Sequence, residues 1–494
     1  MKKILPLMAG LFFLFVSTHA QPYYFRHYQV ENGLSHNTVF CSAQDKNGFL
    51  WFGTKDGLNR FDGYRFKTFN IIKDEKGSLT RDLILSLATD QSGTLWIGTQ
   101  TGLFHFDAEN ERFIPFLDSL HGINDIFFDK SGQLWFIADY TLNRYQFGTK
   151  QSTTFPPEWF FSATSLCETA DGTMWFSTKD GHLQQFDAAT QTFKGYDVFA
   201  HSPPAESKVI QKIVFDKKGS ILIGTNNQGI KEFELASLDY KDVLIYNLNK
   251  TTIYVRDILQ VSNQETWFAT ESGIFIRNHA SGELLNLKKK FLDPYSLSDN
   301  AIYTLYKDAE GGIWAGTFFG GLNYYPKQYT AFQKYFPDYS KNSISGNAVR
   351  EICEDNLGNL WIGTEDAGLN KLDPKTKIVT HFGPTGDPGS IAYWNIHGLL
   401  VVNDYLWVGT FEHGLDIMDV KTGKVIKHYL AGTGANDLKS NFIVSFLQTR
   451  NGTIYLGTSN GICQYNRNND NFLYPQGIAE GSFVPCLLED HEGT

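Results

Sequence analysis

The sequence predicts an all-β protein: a seven-bladed β-propeller followed by the first blades of a second propeller. Three observations carry this. A phrase of turn, short hydrophobic strand, turn and second strand recurs ten times, anchored at positions 51, 96, 135, 175, 222, 267, 314, 361, 407 and 455. The anchor is Trp at every copy except Leu222 and Tyr455, and successive anchors stand 39 to 48 residues apart. A period of about 40–50 residues with four short strands per unit is the signature of propeller blades. No segment sustains a 3.6-residue periodicity, which excludes helical solenoids.

The N-terminus reads as an export signal over residues 1–20. Lys2 and Lys3 precede an apolar run from Ile4 to Val16, and Thr18, His19 and Ala20 lead into Gln21. Those 13 positions fall short of the ~20 that a membrane helix needs, and small residues near the cut suit a cleavable peptide. The 494 residues carry a formal charge of −10, which becomes −12 once Lys2 and Lys3 are removed. That balance argues against nucleic acid and anionic membranes as partners of this region, because phosphate binding needs clustered Lys and Arg. The five Cys (41, 167, 353, 463, 486) show no CxxC and no Cys–His spacing suited to a metal. They are expected to pack as small apolar residues.

Within each repeat the residue types have mechanical roles. An Asp-x-x-Gly turn, as at Asp45–Gly48, permits a tight hairpin because Gly accepts positive φ. The Trp fills the wedge between twisted blades. The Gly two residues on, as in Trp51-Phe-Gly53-Thr54, lets neighbouring blades approach closely. Nine and eight residues before each anchor lie two mostly apolar columns, running from Ser42 and Ala43 through Gly398 and Leu399 to Phe446 and Leu447. They predict an inner strand buried on both faces.

The outer strand carries an aromatic pair spaced by three, as in Phe66-x-x-Phe69 and Phe193-x-x-Tyr196. One such pair, Phe25-x-x-Tyr28, precedes the first full repeat. It is expected to close the first ring, over residues 21–326, by completing the seventh blade. Phe332-x-x-Tyr335 is expected to open a second ring over 327–494 in the same way. That ring has three full repeats and stops inside the turn at Asp490, so the sequence reads as a fragment cut within a blade.

The stretch from Glu31 to Tyr64, with its Gly-Leu-Ser-His-Asn and Gly-Phe-Leu-Trp51-Phe-Gly-Thr phrases, resembles the regulator-propeller family, the periplasmic sensors of hybrid two-component systems in gut Bacteroidetes. The resemblance runs over residues 23–494 and is weakest at the copies anchored on 135, 175 and 222. It implies two seven-bladed propellers, then a β-sandwich, a single membrane helix and a histidine kinase in the complete chain. It also implies an exported sensor held in the inner membrane through a later segment. An oligosaccharide ligand, control of polysaccharide-utilisation genes and a homodimeric receptor follow from the same resemblance.

Propeller ligands usually meet the loops between strands two and three and those joining one blade to the next. In this sequence those loops depart from the repeat. Trp159, Phe160 and Phe161 crowd one connection, Tyr393, Trp394 and Asn395 another, and Asp139-Tyr140, Phe318-Phe319 and Phe411-Glu412-His413 occupy second-to-third-strand loops. Aromatic faces beside Asn, Glu or His suit a sugar, combining stacking with directional hydrogen bonds. Arg256 and Arg350, each eleven residues before an anchor, could take a carboxylate or sulfate. Salt bridges to the adjacent Asp257 and Glu351 are the expected arrangement. No catalytic residue, cofactor or metal is expected in these residues. Sialidase-type Asp boxes order their residues differently from Thr169–Trp175, and quinone-dependent propellers would need a vicinal Cys pair that the sequence lacks. The alternative is a secreted propeller that binds glycans or cleaves them as a lyase or hydrolase.

Overall fold

The computed structural model describes residues 23–69, 83–117, 120–155, 162–202, 206–327, 332–338, 342–475 and 481–493. The export signal proposed for residues 1–20 lies outside them. Among the described residues there are ten four-stranded antiparallel sheets, divided between two compact units, Met1–Thr330 and Ala331–Thr494. We number the sheets as blades 1 to 10 in the order of their inner strands.

In the first unit six blades are consecutive in sequence, and the first of them comprises Val39–Gln44, Leu50–Thr54, Gly57–Phe61 and Phe66–Phe69. Blade 7 is composite. Ile302–Lys307, Ile313–Thr317 and Leu322–Tyr325 supply three strands, and Arg26–Tyr28 supplies the fourth, pairing Arg26 with Tyr324 and Tyr28 with Leu322. Inner strands pack in succession around the ring, and that of blade 7 returns to that of blade 1. The second unit holds blades 8, 9 and 10, whose inner strands are Val349–Glu354, Ile396–Val402 and Ile443–Gln448. Phe332 and Tyr335, the counterparts of the closing pair, form no strand among the described residues.

The repeat residues do what their chemistry allows. Trp51 is fully buried and its ring lies 4.8 Å from Phe106 of blade 2, so the indole fills the wedge between blades. Its Nε1–H donates to Asp45 at 2.8 Å, and Trp96, Trp135, Trp314 and Trp361 donate in the same way to Asp90, Asp129, Asp308 and Asp355. The turn Asp therefore also satisfies the buried indole. A Cβ placed on Gly53 would stand 2.5 Å from Ile84 of blade 2, and one on Gly316 would stand 2.9 Å from Val39 of blade 1. Close blade approach is what requires glycine there.

The inner strand differs from its expectation. Val39–Gln44 alternates buried and half-buried residues, whereas the second strand Leu50–Thr54 is buried throughout. The inner strand has packing on one side and the hub of the ring on the other. In blade 9 a two-residue turn at Asn403-Asp404 replaces the usual turn, and Leu399 and Leu400 pair with Val408 and Trp407. Gly398 is thus shifted out of the apolar column in which its spacing places it.

Candidate functional site: the hub of the first ring

Every inner strand in the ten blades carries one register shift at its start, for example between Val39 and Cys41 in blade 1 and between Val255 and Asp257 in blade 6. A bulge leaves one residue unpaired and re-aims its side chain. In the first ring the unpaired residues are Phe40, Leu85, Asn124, Thr164, Gln211, Arg256 and Tyr303. All seven line one cavity of about 520 Å³ at the hub. One repeated backbone irregularity thus delivers a different side chain from each blade to a common space.

One position further along lies a polar belt: Cys41, Ser86, Asp125, Ser165, Lys212, Asp257 and Thr304. These residues stitch neighbouring blades together. Ser86 Oγ donates to the Ile123 carbonyl at 2.8 Å, Ser165 Oγ donates to Asp125 at 3.1 Å, and the Leu305 N–H donates to Asp257 at 2.8 Å. Lys212 Nζ reaches Asp125 at 3.4 Å. Burial raises the pKa of Asp257, opposed by Lys212 and the Leu305 N–H. Burial works against the Lys212 charge, but Asp125 and Asp257 outweigh it and hold the ammonium above its ordinary pKa.

Aromatic rings and cations form the rim. The Arg256 guanidinium lies over Tyr254 at 3.9 Å and Tyr303 at 4.3 Å, and donates to Tyr303 Oη at 3.1 Å and to Glu271 through Nε at 3.1 Å. The expected pair with Asp257 does not form, because the bulge sends Arg256 to the rim while Asp257 enters the belt. Phe318 stacks on Tyr303 at 5.2 Å and 20°, and Phe319 meets Phe318 edge-on at 4.4 Å. Tyr140 lies beneath Lys179, whose Nζ is 3.0 Å from the ring centroid, and both line the cavity. Asp139 and Tyr140 both have left-handed φ, of 45° and 65°, in the turn that presents the ring. Arg256, Tyr140, Phe318 and Phe319, four of the residues singled out from sequence, thus belong to one neighbourhood.

The remaining ones lie elsewhere. Trp159 and Phe160 fall outside the described residues. In the second unit, Arg350 lies 3.7 Å from Glu365 rather than pairing with Glu351, repeating in blade 8 the Arg256–Glu271 arrangement of blade 6. Tyr393 and His413 stack face to face at 3.8 Å and 9°. Phe411 lies 5.9 Å from His397, the bulged residue of blade 9, and a Cβ on Gly383 would come within 2.4 Å of the Trp394 ring. Asn395 Oδ1 and His397 Nδ1 are buried without a partner among the described residues.

The sequence reading missed Tyr254, Tyr303, Lys179, Asp125, Lys212 and the belt role of Asp257. A signal was present. Ten residues before the anchors the column reads Cys, Ser, Asp, Ser, Lys, Asp, Thr around the first ring, polar beside two apolar columns.

Fold and hub together define a seven-bladed propeller whose repeat unit delivers varied side chains to a ligand-sized central cavity. Residues 33–56, 296–319, 343–366 and 437–460 match the two component regulator propeller family. It is similar to the extracellular domain of a hybrid two-component system from B. thetaiotaomicron, with 24% identity, a TM-score of 0.65, and 91% of this chain and 66% of that one covered. A second such domain from B. thetaiotaomicron matches at 18% identity and a TM-score of 0.55, over 96% of this chain and 70% of that one. A curated relative, Histidine kinase P4 of Formosa agariphila, is 40% identical over 70 residues, which are 14% of this chain and 5% of that protein. The chain thus spans about two thirds of the structural neighbours and a small part of the kinase.

Proposed function

We propose that this chain is the extracellular sensing region of a membrane-bound hybrid histidine kinase, and that an oligosaccharide binds at the hub of the first ring. The carrying observation is the convergence of seven bulged residues, one per blade, on a single cavity. Its volume of about 520 Å³ falls within the ~300–1,000 Å³ usual for small-molecule sites. Phe40, Tyr140 and Tyr303 bring aromatic rings to the cavity, and Asn124, Gln211 and Arg256 offer directional donors. The family and the extracellular domains it resembles support a periplasmic receptor, exported by the signal at 1–20, homodimeric, and governing polysaccharide-utilisation genes.

Calorimetry on the complete sensor against a panel of neutral oligosaccharides tests the ligand. Tyr303→Ala should weaken binding by about 1–3 kcal/mol if that ring is a central anchor. Unchanged affinity in a folded Tyr303→Ala variant would exclude the hub as the site. Shortened products released from a glycan would favour the lyase or hydrolase reading instead.

A further inference from the structure

A second cavity, of about 770 Å³, lies between blades 3 and 4, away from the hub residues. The repeat supplies its internal control. In blade 1, Arg60 lies over Phe49 at 4.5 Å, Trp51 at 5.8 Å and Phe69 at 5.6 Å, and its Nη1 meets Glu111 of blade 2 at 3.1 Å. Arg144 holds the same register in blade 3, opposite Trp135 as Arg60 is opposite Trp51. It lies over Trp135 at 5.3 Å and over Phe155 and Phe186 at 5.7 Å.

Two residues around it have changed. The position of Glu111, a left-handed turn residue before the outer strand of blade 2 with φ 47°, is taken in blade 4 by Gln191 with φ 56°. The position of Phe49, the ring nearest Arg60, is taken by Gln133, which lines the cavity. Arg144 is left donating through Nη2 to Gln191 at 2.9 Å. Its Nε is buried without a partner, and no partner among the described residues meets Nη1, the nitrogen through which Arg60 holds Glu111. None of the cavity's own carboxylates bonds Arg144: Asp129 accepts from the Trp135 indole, Glu168 from the Lys130 N–H, Asp171 from Thr169, and Asp187 from the Ala189 N–H, and Asp129 favours the guanidinium charge from a distance.

We infer that this cavity binds a small ligand bearing a carboxylate, which Arg144 holds as Arg60 holds Glu111. The planar guanidinium matches a carboxylate with two parallel N–H···O bonds. Lys194, also lining the cavity, adds positive charge. The carboxylate could belong to a uronic sugar or to a simple organic acid.

Calorimetry on the full chain with digalacturonate, its dimethyl ester and glutarate separates these. At least one acid should bind, the neutral ester should bind at least tenfold more weakly, and Arg144→Gln should impose a similar loss on the acid. Binding by digalacturonate alone assigns the sugar, and binding by both acids assigns the carboxylate as sufficient. Gln191→Glu should fill the site from within, abolishing binding while raising Tm, a readout that needs no ligand. Equal binding of acid and ester, failure of both acids, or a Gln191→Glu variant with unchanged Tm would overturn the inference. Hub binding of a neutral oligosaccharide should be indifferent to Arg144→Gln, so the two sites succeed or fail separately.

Discussion

The ring of Tyr28 lies 5.5 Å from that of Trp314, centroid to centroid, although the two residues stand at opposite ends of the first unit in sequence. Tyr28 also meets Phe61 at 5.4 Å and Phe66 at 5.9 Å, both in blade 1. One side chain thus bridges the last blade and the first. Tyr28→Ala should cost about 2–3 kcal/mol, at the lower end for a large aromatic because Tyr28 is only half-buried. Tyr64, in the same region but 92% exposed, should tolerate Ala with no measurable loss. Urea unfolding of both variants checks this, and equal midpoints would show that the closing strand contributes little.

Much of this closure was legible because it depends on residue types that only one role explains. An aromatic pair ahead of the first repeat has no inner strands of its own, and the structure pairs it with Leu322–Tyr325. The Trp–Gly–Thr phrase was equally readable, since glycine at a blade contact is a steric requirement. The Trp-to-Asp hydrogen bond was not, because an Asp in a turn already has a sufficient local explanation. The hub was half-legible. A bulge changes which residue is unpaired without changing composition, so nothing in the repeat pattern singles out Tyr303, and Asp257 reads as the partner of Arg256. In blade 9 the shortened turn moved the column by one residue, which spacing alone could not reveal.

In the second unit, His428 Nδ1 lies 2.6 Å from Asp416 Oδ1, and the other Asp416 oxygen accepts the Ala392 N–H at 2.7 Å. The Asp416 carboxylate raises the His428 pKa above its ordinary 6.5 against the opposing effect of burial. Folding therefore favours the protonated imidazole. This contribution is fully present below about pH 6.5 and is lost as pH rises through the elevated folded value. Thermal unfolding of the native chain should show a Tm decline as pH rises above about 6.5 that His428→Gln lacks. Parallel pH profiles for the two proteins would show that the pair adds nothing to stability.

Lys212 is the ammonium that the hub belt sets between Asp125 and Asp257. Removing it leaves two carboxylates near one another with no counter-charge, and a buried pair broken on one side costs about 3–5 kcal/mol. The belt is partly open to the cavity, with Lys212 29% and Asp125 16% exposed in their side chains, so Lys212→Met should cost less, about 1–3 kcal/mol at neutral pH. The pH dependence is the sharper test. Asp257 already has a raised pKa from burial, and loss of Lys212 raises it further. A carboxyl whose folded pKa exceeds its unfolded value destabilises above that pKa, and the penalty fades as acid protonates it. The deficit of Lys212→Met against the native chain should therefore shrink as pH is lowered from neutral toward the ordinary carboxylate pKa of about 4. A deficit constant over that range would mean that Lys212 matters for the packing of its methylene stem rather than for its charge.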